Sequence, residues 1–366
     1  MGAKLRVVCA IASISAMLSA VPAQADLGLA PGQVLRLGPV AGTGTATGDY
    51  GVGATDLCEF MEFPSRTLQV CGDSFAGQGV GFGTWYSPVA LHIDPDSIGT
   101  ELRVTGVTGT TAPLLADPKS PGSSQLPAGI VSINRENYLL VTTTRNLRPE
   151  SSRLVKADAA QPNWPTVPGS QRAASYAGGA QSQISGYYDP IPTHDSQRGW
   201  VYIVADNFDR TSPVHLYRVP PQDFTDRSRW QGWSATQGWG RTPTPLWADP
   251  AGELSVRQIE GKTVLSYFNA GTGNMEVRVA DDPTGLATAP VTTVVVAAPW
   301  PQAPEELPDP DDNSLAQPYG GYISPASTLD DVRVLVSQWH TAPADSAPYR
   351  VIQFAVNPWK PWDTRG

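Results

Sequence analysis

Histidine, cysteine and basic residues are all scarce in this chain, and each scarcity excludes something. Four His and three Cys stand among 366 residues, with no spacing of the kind that builds a zinc site. Lys and Arg number 25 against 34 Asp and Glu, a formal charge of −9. A scattered acidic balance lacks the basic face that a nucleic acid or an anionic membrane requires. Charged residues make up only 16% of the chain while hydrophobic ones reach 40%, so a solvated disordered tail is excluded as well. No stretch beyond residue 25 approaches the roughly 18 apolar residues of a membrane-spanning helix.

The first residues read as a secretory signal. Lys4 and Arg6 form a short positive region, Val7 to Leu18 is apolar and small, and Ala23-Gln24-Ala25 supplies a small-x-small cleavage site before Asp26. Cys9 lies inside the apolar stretch, away from the position a lipid anchor uses. Residues 1–25 carry two cations and no acids, so their removal moves the formal charge from −9 to −11. Cys58 and Cys71 are then the two remaining cysteines, and an even pair in an oxidising compartment favours a disulfide over two free buried thiols.

What the chain has in excess is Gly and Pro, 35 of each. Both interrupt helical ladders, and no three-turn amphipathic pattern is present. Alternating and β-branched runs recur instead, at 67–71, 138–142, 200–204, 262–267 and 332–336. They fall into five segments that open on small or polar residues, at Gly53, Pro127, Ser182, Glu253 and Gly320. The spacing predicts an all-β, five-bladed β-propeller spanning 26–366, with blades at 53–105, 127–168, 182–224, 253–296 and 320–357. The alternative is a pair of β-sandwiches. The strand at 33–40 is placed to pair with the last blade and leave no open edge. Residues 26–32 and 360–366 read as loose ends, and 299–312 as a loop.

Candidate chemistry concentrates between Asp56 and Trp85. A turn at Pro64-Ser65 returns the chain to Cys71-Gly72-Asp73-Ser74, so adjacent antiparallel strands bring Asp56 and Asp73 to the same end, with Cys58 facing Cys71 across the hairpin. Two carboxylates at a channel mouth can divide acid and base roles in glycoside hydrolysis; the alternative is that both bond turn amides. Glu253 and Arg257 are four residues apart on one strand and would share a face, binding sugar or forming a structural ion pair. Trp85, Tyr322 and Trp339, near strand starts, are candidates for stacking on sugar faces, as are Tyr86, Tyr187, Tyr188 and Tyr319. Gly72-Asp73-Ser74-Phe75 also resembles the nucleophile block of GDSL-type esterases, with Ser74 attacking an ester. None of His92, His194, His215 or His340 follows an Asp by three residues, as that chemistry would need.

These residues resemble a known family. Thr55-Asp56-Leu57, Gly72-Asp73-Ser74-Phe75, Leu254-Ser255-Val256-Arg257, Val277-Arg278-Val279-Ala280 before Pro283-Thr284-Gly285, and Tyr319-Gly320-Gly321-Tyr322 with Ser337-Gln338-Trp339 look like the actinobacterial domain of unknown function 4185 over about residues 35–357. The resemblance implies glycoside hydrolase family 183, endo-D-arabinanases that cut the D-arabinan of mycobacterial arabinogalactan and lipoarabinomannan on a five-bladed propeller. It implies Asp56 and Asp73 as the catalytic acids; Glu253 and Arg257, from their strand spacing, are expected to support charge or bind sugar. The chain departs from the family where Trp85-Tyr86-Ser87-Pro88 replaces a Trp-Arg-Ser-Asn stretch. A non-catalytic glycan-binding propeller is therefore the competing expectation. No cofactor is expected, although a Ca²⁺ held by few carboxylates and water would leave no spacing signature. The expected partner is a cell-wall polysaccharide outside the cell, met by a monomer.

Overall fold

The computed structural model describes residues 27–193, 196–298, 313–342 and 344–363. The expected export signal at 1–25, the Pro/Asp-rich run at 299–312 and the last residues 364–366 lie outside them. Within them the chain is all-β, its helical content limited to 3₁₀ turns of at most five residues such as Ala46–Tyr50 and Pro283–Ala287.

Strands succeed one another as antiparallel meanders, which form five units. The first contains Glu59–Phe63, Arg66–Cys71, Val89–Ile93 and Val104–Thr108. The second contains Ser123–Ile133, Glu136–Arg145, Arg148–Lys156 and Arg172–Ala173. The third runs from Gln183–Asp189 through Trp200–Asp206 and His215–Val219 to Gln231–Ser234. The fourth contains Ala251–Ile259, Lys262–Asn269, Met275–Ala280 and Val291–Ala298. The fifth contains Pro318–Ile323, Val332–Trp339 and Tyr349–Val356, and its outer strand is Val34–Gly42 from the other end of the chain. Val34 pairs with Val356 and Gly42 with Arg350, so the strand expected near 33–40 does join the last unit. The openings at Pro127, Ser182, Glu253 and Gly320 fall at or beside first strands, whereas Gly53–Leu57, with Asp56, precedes Glu59–Phe63, and its Ala54–Thr55 pairs in a separate small sheet with Ser74–Phe75.

Burial explains how the units associate. Buried apolar residues gather into one cluster for each successive pair: Met61 and Leu68 with Leu139, Leu140 with Ile203, Val204 with Leu265, Val264 with Val334, and finally Leu335 with Leu91. The last cluster joins the fifth unit to the first. Each Val or Leu taken from water in this way contributes about 1.5–3 kcal/mol. Hydrogen bonds at or near the first strands also join the units. Ile130 N–H donates to Glu59, Val256 N–H to Ser185, Ile323 N–H to Ser255, and Leu57 N–H to Ser337. Between the second and third units the exchange is a short parallel pairing, Gly186 with Val131.

The described residues of the two segments expected to be loose ends, 27–32 and 360–363, make fixed contacts. Asn357 donates to the Leu29 carbonyl at 2.7 Å, and buried Lys360 reaches Asp330 and Asn357. Residues 27–32 and 360 are thus sewn to the fifth unit, because their polar groups find fixed partners that composition cannot reveal.

Gly129 marks the tightest junction. Its φ is +132°, and a Cβ there would meet the Ile184 carbonyl oxygen at 1.7 Å. Gly129→Ala is expected to destabilise the protein by about 2–4 kcal/mol in urea unfolding, because backbone rather than a flexible side chain must yield.

Candidate active site

The first strands of the units have two ends, and a cavity opens at each. The larger, about 580 Å³, is lined by Asp56, Asp73, Arg210, Glu253, Tyr319, Trp339 and Tyr349 among others. The smaller, about 270 Å³, is lined by Glu59, Glu62, Tyr187, Tyr188 and Arg257 among others.

Local geometry explains why Asp56 and Asp73 meet. Thr55 pairs with Ser74, and Gly72 N–H donates to the Asp56 carbonyl at 2.8 Å, closing the hairpin that turns at Pro64-Ser65. The Cys58–Cys71 disulfide crosslinks the same place, with the two Cα atoms 3.9 Å apart. Gly72 has no room for a side chain, since a Cβ would press on Asp56 Oδ1 at 2.5 Å.

The two carboxyls sit in different environments. Asp56 is 6% exposed and accepts from the Tyr319 hydroxyl at 2.8 Å through Oδ2. Burial pushes its carboxyl up to about 7; hydrogen bonding from Tyr349 and Tyr319 opposes this, and the charges of Asp73 and Glu253 add to it. Asp73 is half-buried, and both its oxygens act as acceptors: Oδ1 from Trp85 Nε1 at 2.8 Å and Oδ2 from Ser124 Oγ at 2.8 Å. That is the hydrogen-bonding role of an ionised carboxylate.

Glu253 completes the acidic wall. Its Oε1 accepts two bonds from Arg210, one from Nε at 2.8 Å, while Oε2 is buried without a hydrogen-bond partner. Burial pushes the Arg210 guanidinium down, but the Glu253 charge more than restores it. Behind this pair lies Asp206, wholly buried with neither oxygen hydrogen-bonded, its carboxyl pushed well above the usual range by burial and then by Glu253.

The backbone around the cavity is strained. Leu57, Leu147, Arg210, Glu253 and Gln317 all line it and all have φ between 41° and 61°. Non-glycine residues in that region cost about 1–3 kcal/mol each, and five of them meet at this one cavity.

Several sequence expectations are corrected here. Arg257 does not share a face with Glu253. A register shift between Gly252 and Ser255, together with the left-handed φ at Glu253, breaks the strand alternation. Arg257 instead lines the smaller cavity and pairs with Glu62 at 2.7 Å. Trp85 does not line the larger cavity; its indole is engaged by Asp73. Tyr322 is buried beneath the cavity, packed with Leu57, Tyr319 and Tyr349. Trp339 does line it, edge-on to Tyr349. Ser74 is buried, its hydroxyl bonded to Thr55 at 2.7 Å and facing the Gly72 carbonyl, and no described histidine lines the cavity, so the esterase arrangement is absent among the described residues. The Gly77–Gly83 stretch packs chiefly on itself and on the Asp345 carbonyl, with Val80 reaching the cavity. Lys119, Ser124, Asp206, Arg210 and Tyr349 went unmarked by sequence. Each stands in a loop or strand without a motif, and only packing brings it to the acids. Among the described residues no group of three or more His, Cys, Asp or Glu is arranged to hold a metal, and no helix is long and apolar enough to cross a membrane.

The chain belongs to the family described as domain of unknown function DUF4185, whose profile matches residues 41–355. A Mycolicibacterium smegmatis protein, described as an uncharacterized 35.9 kDa protein in the asd 3′ region, is 71% identical over 90% of this chain and 100% of its own. Notoamide biosynthesis cluster protein J′ of Aspergillus versicolor is 33% identical over 44% of this chain and 43% of its own. Among solved structures, an α-L-arabinofuranosidase from Podospora anserina in complex with cellotriose superposes with a TM-score of 0.50 at 11% identity, over 89% of this chain and 97% of its own. An exo-β-1,3-galactanase from Phanerochaete chrysosporium with bound β-1,3-galactotriose gives 0.51 at 9% identity, over 88% and 64%. At these identities the likeness concerns the fold.

The environment of Asp56 has a measurable consequence for stability. A carboxyl raised from 3.8 to about 7 keeps in the folded state a proton that the unfolded chain releases, so stability falls as pH rises between those values. Asp56→Asn removes the titration, and its stability relative to wild type should rise by up to roughly 3–4 kcal/mol from pH 4 to pH 8 in parallel urea melts.

Proposed function

We propose that this protein is a secreted glycoside hydrolase of the cell envelope that cleaves internal D-arabinofuranosyl linkages of cell-wall D-arabinan, in arabinogalactan and lipoarabinomannan. In this reading the five units are the blades of a five-bladed propeller, and the larger cavity is the mouth of its channel. The cycle of apolar clusters from first unit to fifth and back supports the ring. The chemical reading is carried by one observation: two carboxyls on one hairpin line one cavity in opposite environments, one buried and proton-retaining, the other accepting two hydrogen bonds.

Hydrolysis of a glycoside needs that division. Asp56, with its carboxyl near 7, holds a proton at neutral pH and gives it to the departing glycosidic oxygen. Asp73 supplies the carboxylate, which either takes the proton from an attacking water or attacks the anomeric carbon itself. Across the whole reaction one C–O bond breaks and the elements of water are added across it. Glu253 presents its free Oε2 to a sugar hydroxyl while Arg210 holds the other oxygen, and Trp339 offers an apolar face for a furanose ring. The reaction so written uses no cofactor, and a monomer carries the whole site. The arabinofuranosidase and galactanase named in the fold comparison support a glycan substrate, the family resemblance supports D-arabinan, and the N-terminal signal supports export.

The test is incubation of the protein with purified mycobacterial arabinogalactan, following released oligoarabinosides. Release is expected from wild type, with a loss of at least about a hundredfold in Asp56→Asn and in Asp73→Asn. Turnover should fall as pH rises through about 7, because Asp56 must be protonated to act as the acid. Arabinan affinity retained by the double variant, with no product from wild type at any pH, would identify a glycan-binding protein instead.

A further inference from the structure

Lys119 lies in the loop leading into the second unit, outside the cavity. Its ammonium is closed off from solvent yet has no hydrogen-bond acceptor. It stands 3.1 Å above the centroid of the Trp85 ring. A buried ammonium without an acceptor is costly unless some other group stabilises its charge. Here the indole face does so, and the edge of that same ring donates its N–H to Asp73 Oδ1 at 2.8 Å. A cation over an indole is attracted by the π-electrons and draws their density toward itself, so the ring N–H becomes a stronger donor.

We propose that Lys119 is a positioning residue that acts on Asp73 through Trp85, with its ammonium on the indole face strengthening and fixing the bond from the indole edge to the carboxylate. The proposal rests on the reading of Asp73 as the reacting carboxylate. Ser124 holds the second oxygen at 2.8 Å, so with Lys119 behind the indole the carboxylate is fixed from two sides. The charged and titratable groups that face Asp73 are Lys119, Asp56 and Tyr349. Burial pushes the Lys119 ammonium down while the Asp73 charge pulls it back up, the coupling expected of a cation serving this carboxylate. The arrangement also gives Trp85 a role in which stacking on sugar has no part.

The experiment is nuclear magnetic resonance of the protein labelled with ¹⁵N at tryptophan. The Trp85 indole signal is the one lost in Trp85→Phe. Lys119→Met keeps the length of the side chain and removes its charge, and Lys119→Gln serves if methionine disturbs folding. The indole proton should move upfield in the neutral variant and return most of the way in Lys119→Arg. On arabinan, kcat should fall about three- to thirtyfold, the range of a desolvated cation–π contact, with KM little changed and the low-pH limb of the profile displaced upward. An unmoved indole signal in a folded neutral variant overturns the proposal, as does a moved signal with unchanged kcat. The indole signal decides whether or not arabinan is cleaved, so failure of the hydrolase reading is seen separately, as absence of product from wild type.

Discussion

Backbone N–H groups at the inner side of each junction are accepted by side chains of the preceding unit, and the placement of the acids at the larger cavity depends on that exchange. A strand at the edge of a sheet leaves N–H groups that must be satisfied or remain costly. Small hydroxyl side chains answer this need: Ser185 takes the N–H of Val256, Ser255 that of Ile323, and Ser337 that of Leu57. The last of these lies 280 residues apart in sequence and returns the cycle to its beginning. Tyr319 reinforces the same closure by donating to Asp56 across 263 residues. The acid of the first unit is therefore held by the fifth.

That closure produces the electrostatics of the cavity. Packing of the units around them leaves Asp56 and Glu253 little exposed at the cavity wall and Asp206 wholly buried, which a surface hairpin could not do. Carboxyls crowded in a dry space cannot all ionise. Arg210 compensates Glu253, tyrosine hydroxyls serve Asp56, and Asp206 retains its proton. Asp73, nearer solvent, is the member whose two oxygens both find donors. The division between the two hairpin acids is thus a product of depth: Asp56 and Asp73 lie seventeen positions apart in sequence, yet the hairpin's return leaves one acid buried and the other half-exposed. Backbone strain at Leu57, Arg210 and Glu253 is tolerated because the surrounding sheets over-determine those positions.

Much of this was legible in sequence, for identifiable reasons. Excess Gly and Pro with period-two runs admits little besides short strands. The Cys58–Cys71 spacing around Pro64-Ser65 fixes a hairpin, and the hairpin fixes Asp56 beside Asp73. The strand near Val34 had the right pattern to pair with the last unit. The failures have two causes: strand periodicity presumes regular strands, and contacts between distant segments leave no local pattern. Arg257 was placed beside Glu253 by an alternation that the register shift between Gly252 and Ser255 destroys. The aromatic character of Trp85 and Tyr322 suits sugar stacking, but their partners, Lys119 and the cluster beneath the cavity, come from distant segments. Arg210 had no sequence signal at all. It is one arginine in a turn, with a left-handed φ that an arginine rarely adopts.

Sequence by itself determined the class of structure, the crosslinked hairpin and the adjacency of Asp56 and Asp73 on it, because each depends on residues close together in the chain or on composition summed over it. Tertiary structure alone decided which acid is buried, which cation faces which carboxylate, and that Arg257 and Glu253 open onto different cavities. Those outcomes depend on depth and on contacts between units hundreds of residues apart, and a carboxyl's proton affinity is set by its surroundings rather than by its neighbours in sequence.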